Sequence, residues 1–318
     1  MLCKTPPECP RNLLEKASAL PAVDTVIVNA GSLPAMESAR QSVEAGLIRP
    51  ILVGNPDEIN AIALDIDWSL KGVRIIPAFE EQQAAEVSIA LARSGEAQMI
   101  MKGHLHSDTL IRAVLNREQG LRTGNRLSHV FYMTVPGSEK SLCITDAVVN
   151  VQPNIDTKMA IARNAVELLH ALGNALPKMA VLSGTEVVSE AMPSSVEAAE
   201  VTRRAAAGEI SGAIVDGPMA LDNAISIDAA NMKGINSPVA GNADILLVPN
   251  LESGNMLFKK MVYFMSATAA GLLMGARVPI VLTSRADPPE ARLASAALAV
   301  IYNAYQAGHN ESSQRRIS

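Results

Sequence analysis

Short runs of consecutive apolar residues recur along the chain, each followed by a segment with helical spacing. Residues 51–53 and 245–248 are two such runs. Strands without polar alternation are buried on both faces, which is typical of parallel strands covered by helices. The alternation therefore predicts an α/β fold with a mainly parallel sheet. Residues 129–135 and 141–145 predict one hairpin-like connection within it.

Length and composition narrow the class of protein. The chain has 318 residues, which exceeds a typical single domain and predicts two. Apolar residues make up 48%, enough for a sizeable core. A net charge of −5 and an aromatic content of 3% argue against nucleic-acid binding, which requires a basic surface and often stacking side chains.

The cysteines and the amino-terminal segment bear on cellular compartment. Cys3, Cys9 and Cys143 have neither the spacing of a zinc site nor that of a disulfide framework. The first residues lack an apolar signal-peptide core, and the longest apolar run, residues 261–274, is shorter than the ~20 residues of a membrane span. We expect a cytoplasmic protein with no bound metal.

One segment, residues 244–287, combines predicted strands with polar side chains. Residues 245–248 and 278–282 are predicted buried strands, and residues 256–274 a buried helix ended by Gly275. Residues 283–287 follow directly after the carboxyl end of the second strand. Ligands bind just outside that end in open parallel sheets.

Two features of this segment favour an anion. The forked guanidinium of Arg285 fits phosphate or carboxylate, and Ser284 places a hydroxyl beside it. Gly254 and Asn255 are predicted to open a helix, whose free N–H groups attract negative charge. The alternative from these residues alone is a helix cap and a surface arginine.

A second predicted anion site is the loop at residues 116–126, which contains three arginines and two glycines. Glycines let backbone N–H groups approach a phosphate, and arginines neutralise it. Lys102, just past a strand end, is a further candidate. The alternative is ordinary surface charge at Lys102 and at Arg126.

Several motifs together resemble the signature of the phosphate acetyltransferase and phosphate butyryltransferase family. They are residues 101–103 (Met-Lys-Gly), 120–129, 215–224, 244–249, 252–255 and 282–287. They extend over most of the chain from about Gln98 onward. The Ser-Arg-Ala-Asp form of residues 284–287 is more similar to the butyryltransferase branch.

The resemblance implies an architecture. The family has two α/β domains with a cleft between them, similar to isocitrate and isopropylmalate dehydrogenases. Here that places residues 1–138 and 284–318 in one domain and residues 139–283 in the other. The resemblance also implies a homodimer or a higher homo-oligomer.

The implied reaction is reversible transfer of a short acyl group, butyryl or acetyl, between coenzyme A and inorganic phosphate. The family uses direct displacement, so no metal, cofactor or acyl-enzyme is implied. Arg285 would hold the acyl phosphate and stabilise the oxyanion. Ser284 would position the thiol or the phosphate, and Asp287 would be the base.

The remaining predicted roles concern binding. Lys102 and Arg126 would bind phosphate groups, and Ser128 would face the cleft beside Arg126. Gly254 and Asn255 would add backbone donors.

Three alternatives stay open from the residues. Asp287 followed by Pro288 and Glu290 also predicts a helix start, with Asp287 as its cap. The chain could bind coenzyme A or acyl phosphate without catalysis. It could also be a metal- and nicotinamide-dependent decarboxylating dehydrogenase of similar architecture, although no aspartate cluster at helical spacing supports a metal.

Overall fold

The computed structural model describes residue 3, residues 5–284 and residues 287–315, with side chains through residue 309. Two compact units divide the chain. We call residues 7–125 with 270–318 the terminal unit. We call residues 126–269, with the described part of the first six residues, the central unit.

The terminal unit alternates strands with helices. Its elements are α1 (Arg11–Ser18), β1 (Val23–Val28), α2 (Leu33–Glu44), β2 (Ile48–Gly54), α3 (Pro56–Asp65), β3 (Arg74–Pro77), α4 (Glu81–Ser94), β4 (Met99–Lys102), α5 (Ser107–Leu115), most of β10 (Thr268–Met274), β11 (Ile280–Val281) and α11 (Pro289–Arg315). The strands lie in the order β3-β2-β1-β4-β11-β10. All neighbours are parallel except β10 and β11.

The central unit begins with a hairpin and continues with the same alternation. Its elements are β5 (Ser128–Thr134), β6 (Leu142–Thr145), α6 (Ile155–Ala171), β7 (Lys178–Leu182), α7 (Pro193–Arg204), β8 (Ile214–Met219), α8 (Leu221–Ile225), α9 (Ile227–Met232), β9 (Ile245–Leu247) and α10 (Leu251–Met265). The strands lie in the order β5-β6-β9-β7-β8, with β5 and β6 antiparallel and the rest parallel. The prediction of an α/β fold with a mainly parallel sheet is confirmed.

The two units divide at 125/126 and 269/270, whereas the sequence placed the crossovers at 138/139 and 283/284. Strand pairing explains the difference. β5 pairs along its length with β6, as in Val130 with Thr145, so residues 128–134 belong with the central unit. β10 pairs with β11 through Leu273 and Ile280, so most of residues 268–283 belong with the terminal unit.

The prediction of one buried helix over residues 256–274 is wrong. Helix α10 ends at Met265 because Ser266 adopts a left-handed conformation, with φ of 51°. The chain then continues as β10, an antiparallel neighbour of β11. Gly275, predicted to end the helix, instead follows the strand with φ of +88°. Apolar character alone does not distinguish the two structures, because both bury their side chains.

Helix α10 is also more exposed than predicted. Of its residues only Gly254 is buried, and Met256 and Phe264 are 68% and 56% exposed. The buried part of this segment is β10, with Leu272, Leu273 and Met274 in the core.

Candidate active site

Three strands of the terminal unit end at one edge of its sheet. Val28 of β1 pairs with Lys102 of β4, and Met101 of β4 pairs with Val281 of β11, all in parallel register. The residues that follow β11, Thr283 and Ser284, therefore lie beside the end of β4. Carboxyl ends of parallel strands are where α/β sheets bind ligands.

A pocket opens at this edge, and we call it the strand-end pocket. It encloses about 430 Å³, counting the space open to solvent. Its polar lining comes from the strand ends and from two helices, with Lys102, Thr283 and Ser284 joined by Ser32, Ser38 and Arg292. The structure thus brings together two of the predicted site residues, Lys102 and Ser284.

Lys102 is held at the end of β4 by its surroundings. Its side chain is buried, and Nζ lies 3.5 Å from the carbonyl oxygen of Gly103 and 3.4 Å from that of Thr283. Gly103 is required here because a Cβ would overlap the carbonyl oxygens of Val28 and Asn29. Lys102 lines the strand-end pocket, where a buried cation favours an anionic ligand.

Asp287 lies against the turn that carries Ser284. Its Oδ2 accepts the backbone N–H of Ser284 at 2.6 Å, and its own N–H donates to the Ser284 carbonyl at 3.2 Å. Burial raises the pKa of Asp287, opposed by the Ser284 hydrogen bond and by the charges of Arg292 and Lys102. A carboxylate with a raised pKa is a stronger proton acceptor, as a general base requires.

The prediction of Asp287 as the cap of the following helix is wrong. Helix α11 begins at Pro289, and the N–H of Arg292 donates to the carbonyl of Pro288 at 3.2 Å. Pro288 therefore occupies the cap position, and the carboxylate of Asp287 turns back to Ser284 instead. Arg285, the predicted oxyanion-stabilising residue, lies outside the described residues.

Sequence reasoning missed Arg292 and Ser38. Arg292 is 8% exposed, and its Nη1 donates to the carbonyl of Pro34 at 3.0 Å, which ties α11 to the start of α2. Ser38 lies on α2. Neither residue stands in a motif, so no signal in the sequence marks them.

In the central unit, Arg126 and Ser128 are held by side-chain amides. Arg126 is exposed, and its Nε donates to Asn150 Oδ1 at 3.1 Å. Ser128, predicted to face a cleft, is instead fully buried and accepts a hydrogen bond from Asn164 Nδ2 at 2.7 Å. The inward side of β5 packs against α6, which explains its burial.

Gly254 does not supply the predicted backbone donor. Helix α10 begins three residues earlier, with Asn250 as its cap, and the Gly254 N–H donates to the Asn250 carbonyl at 3.2 Å. Gly254 instead permits close packing, because a Cβ would lie 2.8 Å from Val248 and 3.0 Å from Ala147. The amide of Asn255 donates to the Ala147 carbonyl at 3.3 Å.

Two features that the described residues lack bear on the class of site. They contain no grouping of three or more His, Cys, Asp or Glu side chains suited to a metal ion. None of the described helices combines the length and apolarity that crossing a membrane requires.

Comparisons with known proteins agree with these features. A family profile described as phosphate acetyl/butaryl transferase matches residues 80–300. A phosphate acetyltransferase from Rickettsia prowazekii (strain Madrid E) is 44% identical over 95% of this chain and 87% of its own. A phosphate butyryltransferase from Clostridium beijerinckii is 39% identical over 91% of this chain and 96% of its own.

Solved structures share the fold. A branched-chain phosphotransacylase from Enterococcus faecalis V583 superposes with a TM-score of 0.78 at 31% identity, covering 88% of this chain and 99% of that one. A 4-hydroxythreonine-4-phosphate dehydrogenase from Klebsiella pneumoniae gives 0.54 at 14% identity, over 89% and 99% of the two chains. The second likeness concerns the fold alone.

Proposed function

The chain belongs to the phosphate acetyl/butyryl transferase family, and on that premise we propose that it transfers a short acyl group reversibly between coenzyme A and inorganic phosphate. The observation that carries the proposal is the strand-end pocket, which places the buried cation Lys102 beside the turn of Ser284 and Asp287. The reaction needs a cation that holds phosphate and a base that accepts the thiol proton, and Lys102 and Asp287, whose pKa is raised, can take these two roles.

The reaction can be written with these groups. The Asp287 carboxylate takes the proton of the coenzyme A thiol, whose ordinary pKa of ~8.5 leaves little thiolate at neutral pH. The thiolate attacks the carbonyl carbon of the acyl phosphate. A carbon–sulfur bond forms, the bond from carbon to the phosphate oxygen breaks, and phosphate leaves with the electron pair. The proton held by Asp287 then passes to the departing phosphate.

The other residues bind and orient. Arg285 stabilises the oxyanion of the tetrahedral intermediate, a role that rests on the family resemblance. Ser284 fixes the position of Asp287 through its N–H and offers its hydroxyl to thiol or phosphate. Lys102 binds the phosphoryl group, and Arg126 binds a phosphate of the coenzyme. The Gly254 N–H is left out of the site because it already donates to the Asn250 carbonyl. The Ser128 hydroxyl is left out because it is fully buried and accepts a hydrogen bond from Asn164.

We propose that turnover needs no resident metal or cofactor, with coenzyme A acting as substrate. We also propose a cytoplasmic homo-oligomer, most simply a dimer. Light scattering on the purified chain tests the oligomeric state.

A thioester assay tests the activity. Purified protein should form acyl-coenzyme A from acyl phosphate and coenzyme A, and the rate should be unchanged by a chelator. No thioester, combined with tight coenzyme A binding, would support a non-catalytic binding protein. A rate that requires a divalent metal and a nicotinamide nucleotide would support the dehydrogenase alternative.

The acyl chain is a separate prediction. The Ser-Arg-Ala-Asp form of residues 284–287 predicts a preference for chains longer than acetyl. Each additional buried methylene contributes ~0.8 kcal/mol, or about fourfold in kcat/KM. We expect kcat/KM to rise from acetyl- to propionyl- to butyryl-coenzyme A with phosphate as acceptor. A higher value for acetyl would contradict this prediction and would agree with the 44% identity to an acetyltransferase.

A further inference from the structure

The amino end of helix α2 borders the strand-end pocket. Ser32, Pro34 and Ala35, at the cap and in the first turn, all line it. The Ser32 side chain makes no capping hydrogen bond. The N–H groups of Leu33 and Ala35 precede the first helical hydrogen bonds, and N–H groups in this position attract anions.

A buried hydroxyl lies one turn further along α2. Ser38 is only 6% exposed and lines the pocket, yet its Oγ has no hydrogen-bond partner. Leaving a buried hydroxyl unpaired costs free energy, so such a group usually marks a missing ligand or water. The position of Ser38 in the wall of the pocket allows a ligand to supply that partner.

The charge of the pocket selects the kind of ligand. Two buried cations, Lys102 and Arg292, line it, and no Asp or Glu is among the described lining residues. The carboxylate of Asp287 lies close enough to both cations to be stabilised by their charge. A ligand of this pocket must therefore carry enough negative charge to compete with the Asp287 carboxylate for the charges of Lys102 and Arg292.

We propose that the strand-end pocket holds a phosphoryl group, and that the Ser38 hydroxyl and the amino end of α2 donate hydrogen bonds to its oxygens. This inference rests on the proposed function, which supplies phosphate-bearing substrates. Lys102 and Arg292 neutralise the group, and their charge-assisted contacts add to the neutral donors. A phosphoryl group accepts several hydrogen bonds at once, which matches convergent donors from a helix end, a hydroxyl and a lysine.

The phosphoryl group has two sources in this reaction. One is inorganic phosphate or the phosphoryl end of the acyl phosphate. The other is a phosphate of coenzyme A, which adenosine 3′,5′-bisphosphate reproduces without the thiol.

The test compares two serines of the same helix. Ser38→Ala removes the unpaired hydroxyl. Ser42→Ala is the matched control, because Ser42 is also buried on α2 but donates to the Ser38 carbonyl at 2.8 Å and is not in the pocket wall. Inorganic phosphate and adenosine 3′,5′-bisphosphate are each titrated calorimetrically into the full chain, without acyl substrate.

We expect Ser38→Ala to weaken binding of one of the two probes at least tenfold, since a hydrogen bond to a charged oxygen is worth about that much or more. Ser42→Ala should change both affinities less than twofold. A loss confined to inorganic phosphate assigns the group to the phosphate substrate, and a loss confined to the bisphosphate assigns it to the coenzyme. Unchanged affinity of Ser38→Ala for both probes would overturn the inference.

Thermal melting gives a second readout. Without ligand, Ser38→Ala should melt no earlier than the parent, because it removes an unpaired hydroxyl. With the probe that it binds, its melting temperature should rise less than that of the parent. An equal rise in Ser38→Ala and the parent with both probes would contradict the proposal.

Turnover separates this inference from the proposed function. If the chain forms thioester while Ser38→Ala binds phosphate and bisphosphate normally, the function stands and the Ser38 site fails. If the chain forms no thioester but Ser38→Ala still loses phosphate binding, the site stands and the proposed function fails.

Discussion

Two polar regions of the molecule differ in how far their polar groups are hydrogen-bonded. One is the strand-end pocket of the terminal unit, and the other is the polar cluster at the end of β6 in the central unit. In the central unit, Asp146 accepts the backbone N–H groups of Val148, Val149 and Asn150 at 2.9, 3.0 and 3.2 Å, and the amide of Asn150 at 2.7 Å. In the strand-end pocket, by contrast, the buried Ser38 Oγ has no hydrogen-bond partner.

Burial raises the pKa of Asp146 and of Asp287 alike, so a raised pKa by itself does not separate them. Their surroundings do. Asp146 closes a turn with its acceptor capacity used by that turn, whereas Asp287 lies beside a pocket lined by two cations. We infer that satisfied polar groups hold the central unit's turn in shape and that the strand-end pocket keeps the Ser38 hydroxyl for a ligand.

The largest expected effect is at Asp287. Asp287→Asn keeps an oxygen that can accept the Ser284 N–H but cannot take a proton. A general base contributes about 10²–10⁴ in rate, so turnover at neutral pH should fall at least a hundredfold while the melting temperature is kept. The parent rate should itself fall as pH drops through the raised pKa of Asp287, because protonation removes the base.

The loss in Asp287→Asn should shrink at high pH, where the coenzyme thiol ionises unaided. Asp287→Ala serves as the comparison, since it also removes the hydrogen bond to Ser284. Normal turnover in Asp287→Asn would make Asp287 a structural residue like Asp146, and Glu290 would become the next candidate base.

The second prediction concerns Arg285, whose role comes from the resemblance because it lies outside the described residues. Arg285→Lys keeps the charge but loses the bidentate fork. Loss of one oxyanion donor lowers turnover by about 10²–10³, so we expect Arg285→Lys not to restore the turnover of the parent. Steady-state kinetics of Arg285→Lys and Arg285→Ala check this. Near-normal turnover in either variant would remove Arg285 from the mechanism.

The third prediction concerns Asp146 in the central unit, where we expect substitution to lower stability and leave turnover unchanged, the reverse of the result expected at Asp287. Asp146→Ala leaves several backbone N–H groups without their acceptor, and we expect a loss of about 2–4 kcal/mol in the free energy of unfolding. At saturating coenzyme A, turnover per folded molecule should stay within about twofold. Denaturant unfolding and kinetics on the same preparation test both parts. A hundredfold lower turnover in fully folded Asp146→Ala would remove the distinction between the two units.

The smallest expected effect concerns His129, a buried residue of the central unit whose ring nitrogens also lack partners. It packs edge-on against Phe131, with ring centroids 4.4 Å apart. Burial lowers the pKa of His129 from 6.5 to about 3. Between these pH values the unfolded chain binds a proton at His129 that the folded chain does not. The free energy of unfolding therefore decreases as the pH is lowered, by up to ~1.4 kcal/mol per pH unit.

His129→Leu should remove that part of the pH dependence, while the remainder from other groups persists. Denaturant midpoints of parent and variant from pH 7 to pH 5 measure the difference. If the plots of denaturant midpoint against pH are parallel for parent and variant, His129 also binds a proton in the folded state. The buried imidazole would then not be neutral in this pH range.

The resemblance indicated Lys102 and Ser284 as site residues, and the structure brings both to one pocket. The same reasoning misplaced Gly254, because a glycine near a helix start can serve either a donor role or close packing. Only the contacts with Val248 and Ala147 distinguish the two roles. The burial of Ser128 is another feature that the sequence does not reveal, since it does not say which face of β5 is covered.

By itself the sequence determined most of the strands, the α/β class and the family, because apolar runs and ordered motifs are local properties of the chain. Only the tertiary structure decided that residues 268–274 form a strand, since helix and strand bury the same apolar residues and pairing with β11 selects between them. It alone also placed Ser38 and Arg292 beside Lys102. Residues far apart in the chain meet only when the sheet aligns its strand ends, and no local pattern encodes that meeting.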